Sequence, residues 1–180
     1  WNKLDLGGHW AHSPLYEELI RLPLLIYVPG IAPGLYEQLS SAVDLMPTVL
    51  DILGQEIPAS VEGESLLPKI RDKSVSGREF VVSSIPFANP GDPVRSVDDF
   101  LRMLNAPTVT TITSGKWSLL YSTEDRVPEL YDLATDPRQE NDLITNHKEV
   151  AKELHQYLLK FMRDTRLPEH LQKPRLRLRI

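Results

Sequence analysis

The sequence predicts an α/β chain that turns α+β in its second half: a buried strand and short helices first, then a small antiparallel sheet under a C-terminal helix. Three observations carry this. The run Leu22-Pro23-Leu24-Leu25-Ile26-Tyr27-Val28, closed by Pro29-Gly30, is too short for a helix and apolar on both faces, as a strand buried in a sheet is. Thr108 to Thr113 and Lys116 to Tyr121 are β-rich runs that flank Ser114-Gly115, a hairpin signal. Val150, Ala151, Leu154, Tyr157, Leu158, Phe161 and Met162 recur at three and four, the stripe of an amphipathic helix from about Lys148 to Arg163.

The elements follow in order. Residues 1–14 hold two Gly, two His and two Trp without a period and read as a loop, and Pro14 to Arg21 as one or two helical turns. Pro23 fits the entry of the strand that follows and would not fit its middle. From Asp44 the pattern is helical, with Asp44 as N-cap, Pro47 tolerated in the first turn, and Gly54 ending the helix in a left-handed conformation. Glu79 to Ser84 is a strand, Pro90-Gly91-Asp92-Pro93 a turn, and Glu129 to Leu133 a further strand stopped by Asp136-Pro137. Asn146 with Glu149 forms a capping box for the last helix. The tail Lys173 to Ile180 alternates basic and apolar residues, as an edge strand or a loose arm on an acidic neighbour would.

Composition limits the function classes. The chain has 180 residues with Lys+Arg 20 and Asp+Glu 25, a net charge of −5, which argues against nonspecific binding to nucleic acid or anionic lipid. Apolar stretches fall short of the roughly 20 residues of a membrane span. With no cysteine there is no disulfide, zinc-thiolate site or thiol nucleophile in these residues. No signal peptide is visible, and an opening without Met suggests a fragment or a processed chain, so the compartment stays open.

Few residues announce chemistry. His9 and His12, with Trp10 in a Gly-rich loop, suit anion binding, metal ligation or proton transfer, and suit equally well an ordinary packing role. Glu17 and Glu18 beside Arg21 suit metal ligation but read rather as a capping carboxylate and a solvated or ion-paired helix face, and Asp44 as a cap. His147, His155 and His170 read as surface residues. There is no G-x-S-x-G elbow, no phosphate-binding glycine loop and no H-E-x-x-H pair.

Four segments, taken in order, nevertheless resemble those of sulfatases. They are Gly8-His9-Trp10-Ala11-His12-Ser13-Pro14-Leu15-Tyr16-Glu17-Glu18 with Arg21-Leu22-Pro23 and the apolar run; Val43-Asp44-Leu45-Met46-Pro47-Thr48-Val49-Leu50-Asp51-Ile52-Leu53-Gly54; Glu62-Gly63-Glu64-Ser65-Leu66-Leu67-Pro68; and Gly115-Lys116-Trp117 with Glu129-Leu130-Tyr131-Asp132-Leu133-Ala134-Thr135-Asp136-Pro137. The resemblance covers residues 7–163 and implies the C-terminal portion of an alkaline-phosphatase-like sulfatase fold. Residues 1–75 would be the end of a large α/β domain with a mixed sheet. Residues 76–180 would be a small antiparallel-sheet subdomain with its C-terminal helix and basic tail.

The implied activity is hydrolysis of a small-molecule sulfate ester, with a phosphonate or phosphate ester hydrolase of the same superfamily as the alternative. In the family, a Cys converted to formylglycine, or a Ser, within C/S-x-P-x-R is the nucleophile. Asp, Asn and His ligands, including a D-H-G or D-N-G motif, hold a calcium-like divalent metal. None of these motifs occurs here, and Pro93-Val94-Arg95 has Gly91 at the nucleophile position. Formylglycine and the metal are therefore expected upstream, the missing N-terminal half of the protein is the expected partner, and this segment alone is expected to be inactive. No metal ligand is assigned. His12, four residues before Tyr16, stands where many sulfatases carry a Lys on the sulfate, which implies a catalytic and substrate-binding role; His9 is a second substrate-binding candidate. From another class comes a noncatalytic module that binds a partner through the small sheet and the basic tail.

Overall fold

A computed structural model describes residues 15–84, 109–123 and 127–180. In chain order the elements are α1 (Glu17–Ile20), a 3-10 turn (Ala42–Asp44), α2 (Leu45–Ile52), α3 (Leu67–Arg71), β1 (Val81–Ser84), β2 (Thr110–Ser114), β3 (Trp117–Tyr121), β4 (Glu129–Asp132), α4 (Lys148–Asp164), α5 (Glu169–Gln172) and a 3-10 turn (Lys173–Arg175). They fall into two compact units, one of Trp1–Leu22 with Val82–Ile180 and one of Pro23–Val81.

The first unit is built on a four-stranded sheet in the order β1-β2-β3-β4, antiparallel at β2–β3 and β3–β4. Gly115 takes a φ of 54° at the hairpin turn, where a residue with a Cβ would be strained. Leu119 pairs with Ile112 on one side and Leu130 on the other, so period-2 alternation puts all three on one face. Helix α4 covers that face with Ala151, Leu154, Leu158 and Met162, which together with Tyr121 and Ile144 make the main core. On the opposite face Val109, Leu120 and Tyr131 pack with Tyr16 in a second, smaller cluster.

Helix α4 runs one residue beyond the span expected, and its start differs. Its N-cap is His147, because the Asn146 and His147 N–H groups already donate to the Leu143 carbonyl in the preceding turn. His155 is 3% exposed and belongs to the buried stripe, a correction to its surface reading: it follows Leu154 and precedes Leu158 on the inward face. Phe161, counted in that stripe from the sequence, keeps 37% of its surface exposed. The tail is neither a strand nor loose at its start. Lys173–Arg175 is a helical turn whose carbonyls are taken by side chains from the sheet and α4.

In the second unit, Gly54 at φ 65° closes α2 as expected, with Gly54 N–H on Asp51 O and Gln55 N–H on Leu50 O. Pro47 sits in the first turn of α2 and is buried. The run Leu22 to Val28 forms no strand: Leu25 is 97% and Tyr27 86% exposed. A strand exists only by pairing, and among the described residues no segment pairs with this one.

Candidate functional site

The first unit concentrates its polar side chains on the sheet face away from α4, and they hold the segment that carries α1. Thr111 and Thr113 in β2 and Glu129 and Tyr131 in β4 share that face by alternation. Thr111 Oγ1 donates to Leu15 O at 2.7 Å, the Glu17 N–H donates to Gln139 Oε1 at 2.7 Å, and Tyr16 Oη donates to Glu129 Oε2 at 2.7 Å. Tyr131 Oη donates to the same carboxylate oxygen at 2.6 Å, and the Tyr16 and Tyr131 rings meet edge to face with centroids 6.1 Å apart. Gln139 reaches this position with its backbone at φ 53°, buried beneath the segment.

These contacts set the electrostatics. Burial pushes the Tyr131 hydroxyl well above the usual phenol range, and the Glu129 carboxylate beside it adds to the effect. Burial also raises the Glu17 carboxyl, more than the Thr113 hydroxyl at 3.3 Å and the charge of Arg21 lower it. Glu17 thus caps nothing: its side chain lies against β2, while Glu18 faces solvent. Gln139, Thr111 and Thr113 were not singled out from the sequence, and Glu129 and Tyr131 only as part of the fourth sulfatase-like segment, with no role assigned. The one signal available was the i, i+2 spacing of Glu129 and Tyr131 on a strand.

The second unit holds a charged cluster built from two of the sulfatase-like segments. Asp44 is wholly buried, and its carboxylate accepts from Ser41 N–H at 2.8 Å, Glu64 N–H at 2.9 Å, Arg78 Nε at 2.9 Å and Arg78 Nη2. It does not cap α2; that helix continues from the 3-10 turn, whose geometry turns the Asp44 side chain inward. Burial raises the Asp44 carboxyl, but the Arg78 guanidinium and the two backbone N–H groups outweigh it and leave it below the usual carboxylate range. Thr48 Oγ1 accepts from Leu66 N–H at 2.8 Å and Ser65 Oγ donates to Asp51, tying the helix to the Glu62–Pro68 stretch. Gly63 is obligatory there, since a Cβ would lie 2.0 Å from Val43 O.

His9 and His12 lie outside the described residues. Of the other histidines, His147 is exposed with its ring 5.3 Å from Trp117, His170 is exposed on α5, and His155 is buried. Among the described residues no three His, Cys, Asp or Glu side chains converge as metal ligands. The buried carboxylates among the described residues, Asp44 and Asp132, are already committed to guanidinium, ammonium and backbone donors, so the described residues do not fit a divalent cation. No helix among the described residues is long and apolar enough to cross a membrane.

Comparison with known proteins gives the chain a family. A family model described as N-sulphoglucosamine sulphohydrolase, C-terminal, matches residues 7–82. Arylsulfatase K of Bos taurus is 33% identical over 146 residues, covering 80% of this chain and 26% of that protein. Choline-sulfatase of Rhizobium meliloti is 32% identical over 143 residues, covering 77% and 24% respectively. Among solved structures, a phosphonate monoester hydrolase from Silicibacter pomeroyi superposes with a TM-score of 0.57 at 28% identity, covering 80% of this chain and 29% of that one. The chain spans about a quarter of the length of the curated relatives it matches. It has the mixed helices and small antiparallel sheet of the alkaline-phosphatase-like hydrolases, and it belongs to the sulfatase family, whose C-terminal part it matches.

Proposed function

We propose that this chain is the C-terminal part of a hydrolase that cleaves sulfate esters, and that it acts by supporting a reaction centre supplied mostly by residues upstream of it. In this reading residues 1–75 end the large α/β domain and residues 76–180 form the small one. The observation that carries the reading is the run Leu22, Leu24, Leu25 and Tyr27. Its side chains stand in solvent, although every one of them is of the kind that buries in a sheet. An upstream segment of the same protein is the natural cover, because the relatives are about four times as long as this chain. Helix α2 supports this with Met46, Val49 and Leu53, also exposed.

Formylglycine and a divalent cation, calcium by resemblance, belong in this reading to the upstream part. This sequence has no cysteine to become formylglycine, and the described residues have no ligand set for the cation. What this chain contributes is His12, with His9 as second candidate: a protonated imidazole donating to a sulfuryl or leaving-group oxygen. Among the described residues, Leu15 and Tyr16, a few residues on, are the first points at which the sheet grips the chain. In the protein that carries this chain with its upstream part, His12→Ala is expected to lower kcat/KM for an aryl sulfate at least tenfold. His12→Lys is expected to keep activity while removing the decline above about pH 6.5 that a titrating histidine imposes. Unchanged kinetics in both variants would remove His12 from the reaction.

A second reading has its own support. The Silicibacter pomeroyi enzyme that shares the fold at 28% identity is a phosphonate monoester hydrolase, so attack at phosphorus is the alternative. An aryl phosphonate turned over faster than the aryl sulfate would favour it.

A further inference from the structure

The C-terminal arm is fastened to the small sheet by two buried side chains, and one of them is an imidazole. His155 of α4 places Nε2 2.9 Å from the Arg175 carbonyl, and since a carbonyl only accepts, Nε2 carries the hydrogen and Nδ1 does not. Tyr121 of β3 packs on the imidazole with ring centroids 5.2 Å apart, and its hydroxyl donates to Arg177 O at 3.1 Å. Both bonds go to main-chain carbonyls of the arm. Arg175 Nη1 donates to Leu171 O at 2.7 Å and Leu178 packs against the core, so the arm is pinned at Leu171, Arg175 and Leu178, while Lys173, Pro174, Leu176 and Arg177 stay exposed.

We propose that residues 173–180 are a proton-operated latch: neutral His155 holds the arm down, and protonated His155 releases it as a free basic segment bearing Lys173, Arg175, Arg177 and Arg179. An imidazolium must place a second N–H, on Nδ1, in a site that is 3% exposed and where, among the described residues, no carboxylate bonds the ring. The groups around the ring are the Tyr121 phenol from β3 and, acting on that phenol, the guanidinium groups of Arg175 and Arg179 from the arm. On α4 itself Lys152, one turn earlier, is turned to solvent and paired with Glu149. The Arg175 carbonyl favours the charged ring and burial disfavours it; burial is the larger of the two, so the charge added on protonation is relieved when the arm lifts away and water reaches the ring.

Burial lowers the His155 pKa below its usual 6.5, which fixes the sign. Between that lowered value and about 6.5 the open form binds the extra proton and the closed form does not, so opening becomes up to tenfold more favourable for each pH unit of fall. At higher pH the latch is fully closed with respect to this group.

These 180 residues contain no cysteine, so a nitroxide on Ile180→Cys reports on the arm alone. The mobile fraction of its spectrum is expected to stay low at pH 8 and to climb below about pH 6.5. In His155→Gln, whose amide still donates to Arg175 O but does not titrate, it is expected to stay flat. A flat wild-type profile would overturn the latch, and so would an equal rise in His155→Gln, which retains the exposed His170 and the Glu169–Lys173 pair. Should that variant fail to fold, an NMR titration of the unsubstituted His155 ring decides: a midpoint below 6.5 with arm resonances following it supports the latch, and a midpoint at or above 6.5, or arm resonances that do not follow, refutes it.

Discussion

Asp44→Ala removes the most heavily used acceptor in the second unit. Its carboxylate is buried and takes hydrogen bonds from two backbone N–H groups and from Nε and Nη2 along one edge of Arg78. Breaking a buried pair by deleting one partner costs about 3–5 kcal/mol, since a charge is left without its counterpart. Arg78 retains about a fifth of its side-chain exposure and has Glu64 at 3.9 Å, so water and a second carboxylate recover part of this. The orphaned Ser41 and Glu64 N–H groups work the other way, at roughly 1 kcal/mol each. The expected loss is about 3 kcal/mol, or a urea midpoint lower by about 1.5 M at a slope near 2 kcal/mol per molar. Arg78→Met is expected to cost less than Asp44→Ala, and the double variant less than the sum of the two. The depressed Asp44 pKa adds a pH signature: stability from this carboxylate is full above its ordinary 3.8 and is lost as pH falls through the lower folded value, so wild type and variant converge in acid. A midpoint shift under about 0.3 M, or a gap that widens in acid, would refute the assignment of Asp44 as the keystone of this unit.

Three further outcomes follow from the packing. Gly63→Ala forces a Cβ to 2.0 Å from Val43 O, so the Glu62–Pro68 stretch must shift and the melting temperature of the protein should fall by several degrees; an unchanged melt would show that the close approach is not needed. Leu158→Ala empties part of the main core and should cost about 3 kcal/mol by denaturant titration, with a loss below 1 kcal/mol meaning that α4 is not seated on the sheet as described. Tyr16→Phe deletes a donor to a carboxylate and should cost about 1.5 kcal/mol while raising hydrogen exchange at the Leu19 and Ile20 amides, both bonded to Tyr16 O; unaltered exchange there would mean that the sheet does not hold this segment through Glu129.

What could be read from the residues alone follows the range of the interactions. The hairpin about Gly115, the left-handed Gly54 and the stripe of α4 are local, set by backbone conformation and by period, and they stand where the sequence places them. His155 escaped because a histidine between Leu154 and Leu158 carries no mark of being buried until a partner carbonyl, 20 residues away, is in place. Asp44 was read as a cap because Ser41, Glu64 and Arg78 converge on it only in three dimensions, across up to 34 residues. The Tyr16, Glu129 and Tyr131 cluster joins residues 113 apart, beyond any pattern argument. The run Leu22 to Val28 shows the converse: its composition describes a buried strand, but composition cannot supply the neighbouring strand.

The claim that these residues support a sulfate-ester reaction centre without containing it is tested by comparing aryl sulfate hydrolysis by the 180-residue chain alone and by the same chain joined to its upstream segment. The expected result is no turnover by the chain alone and turnover by the joined protein, faster on the sulfate than on the corresponding phosphonate. Turnover by the chain alone, or a joined protein inactive on both esters, would contradict it.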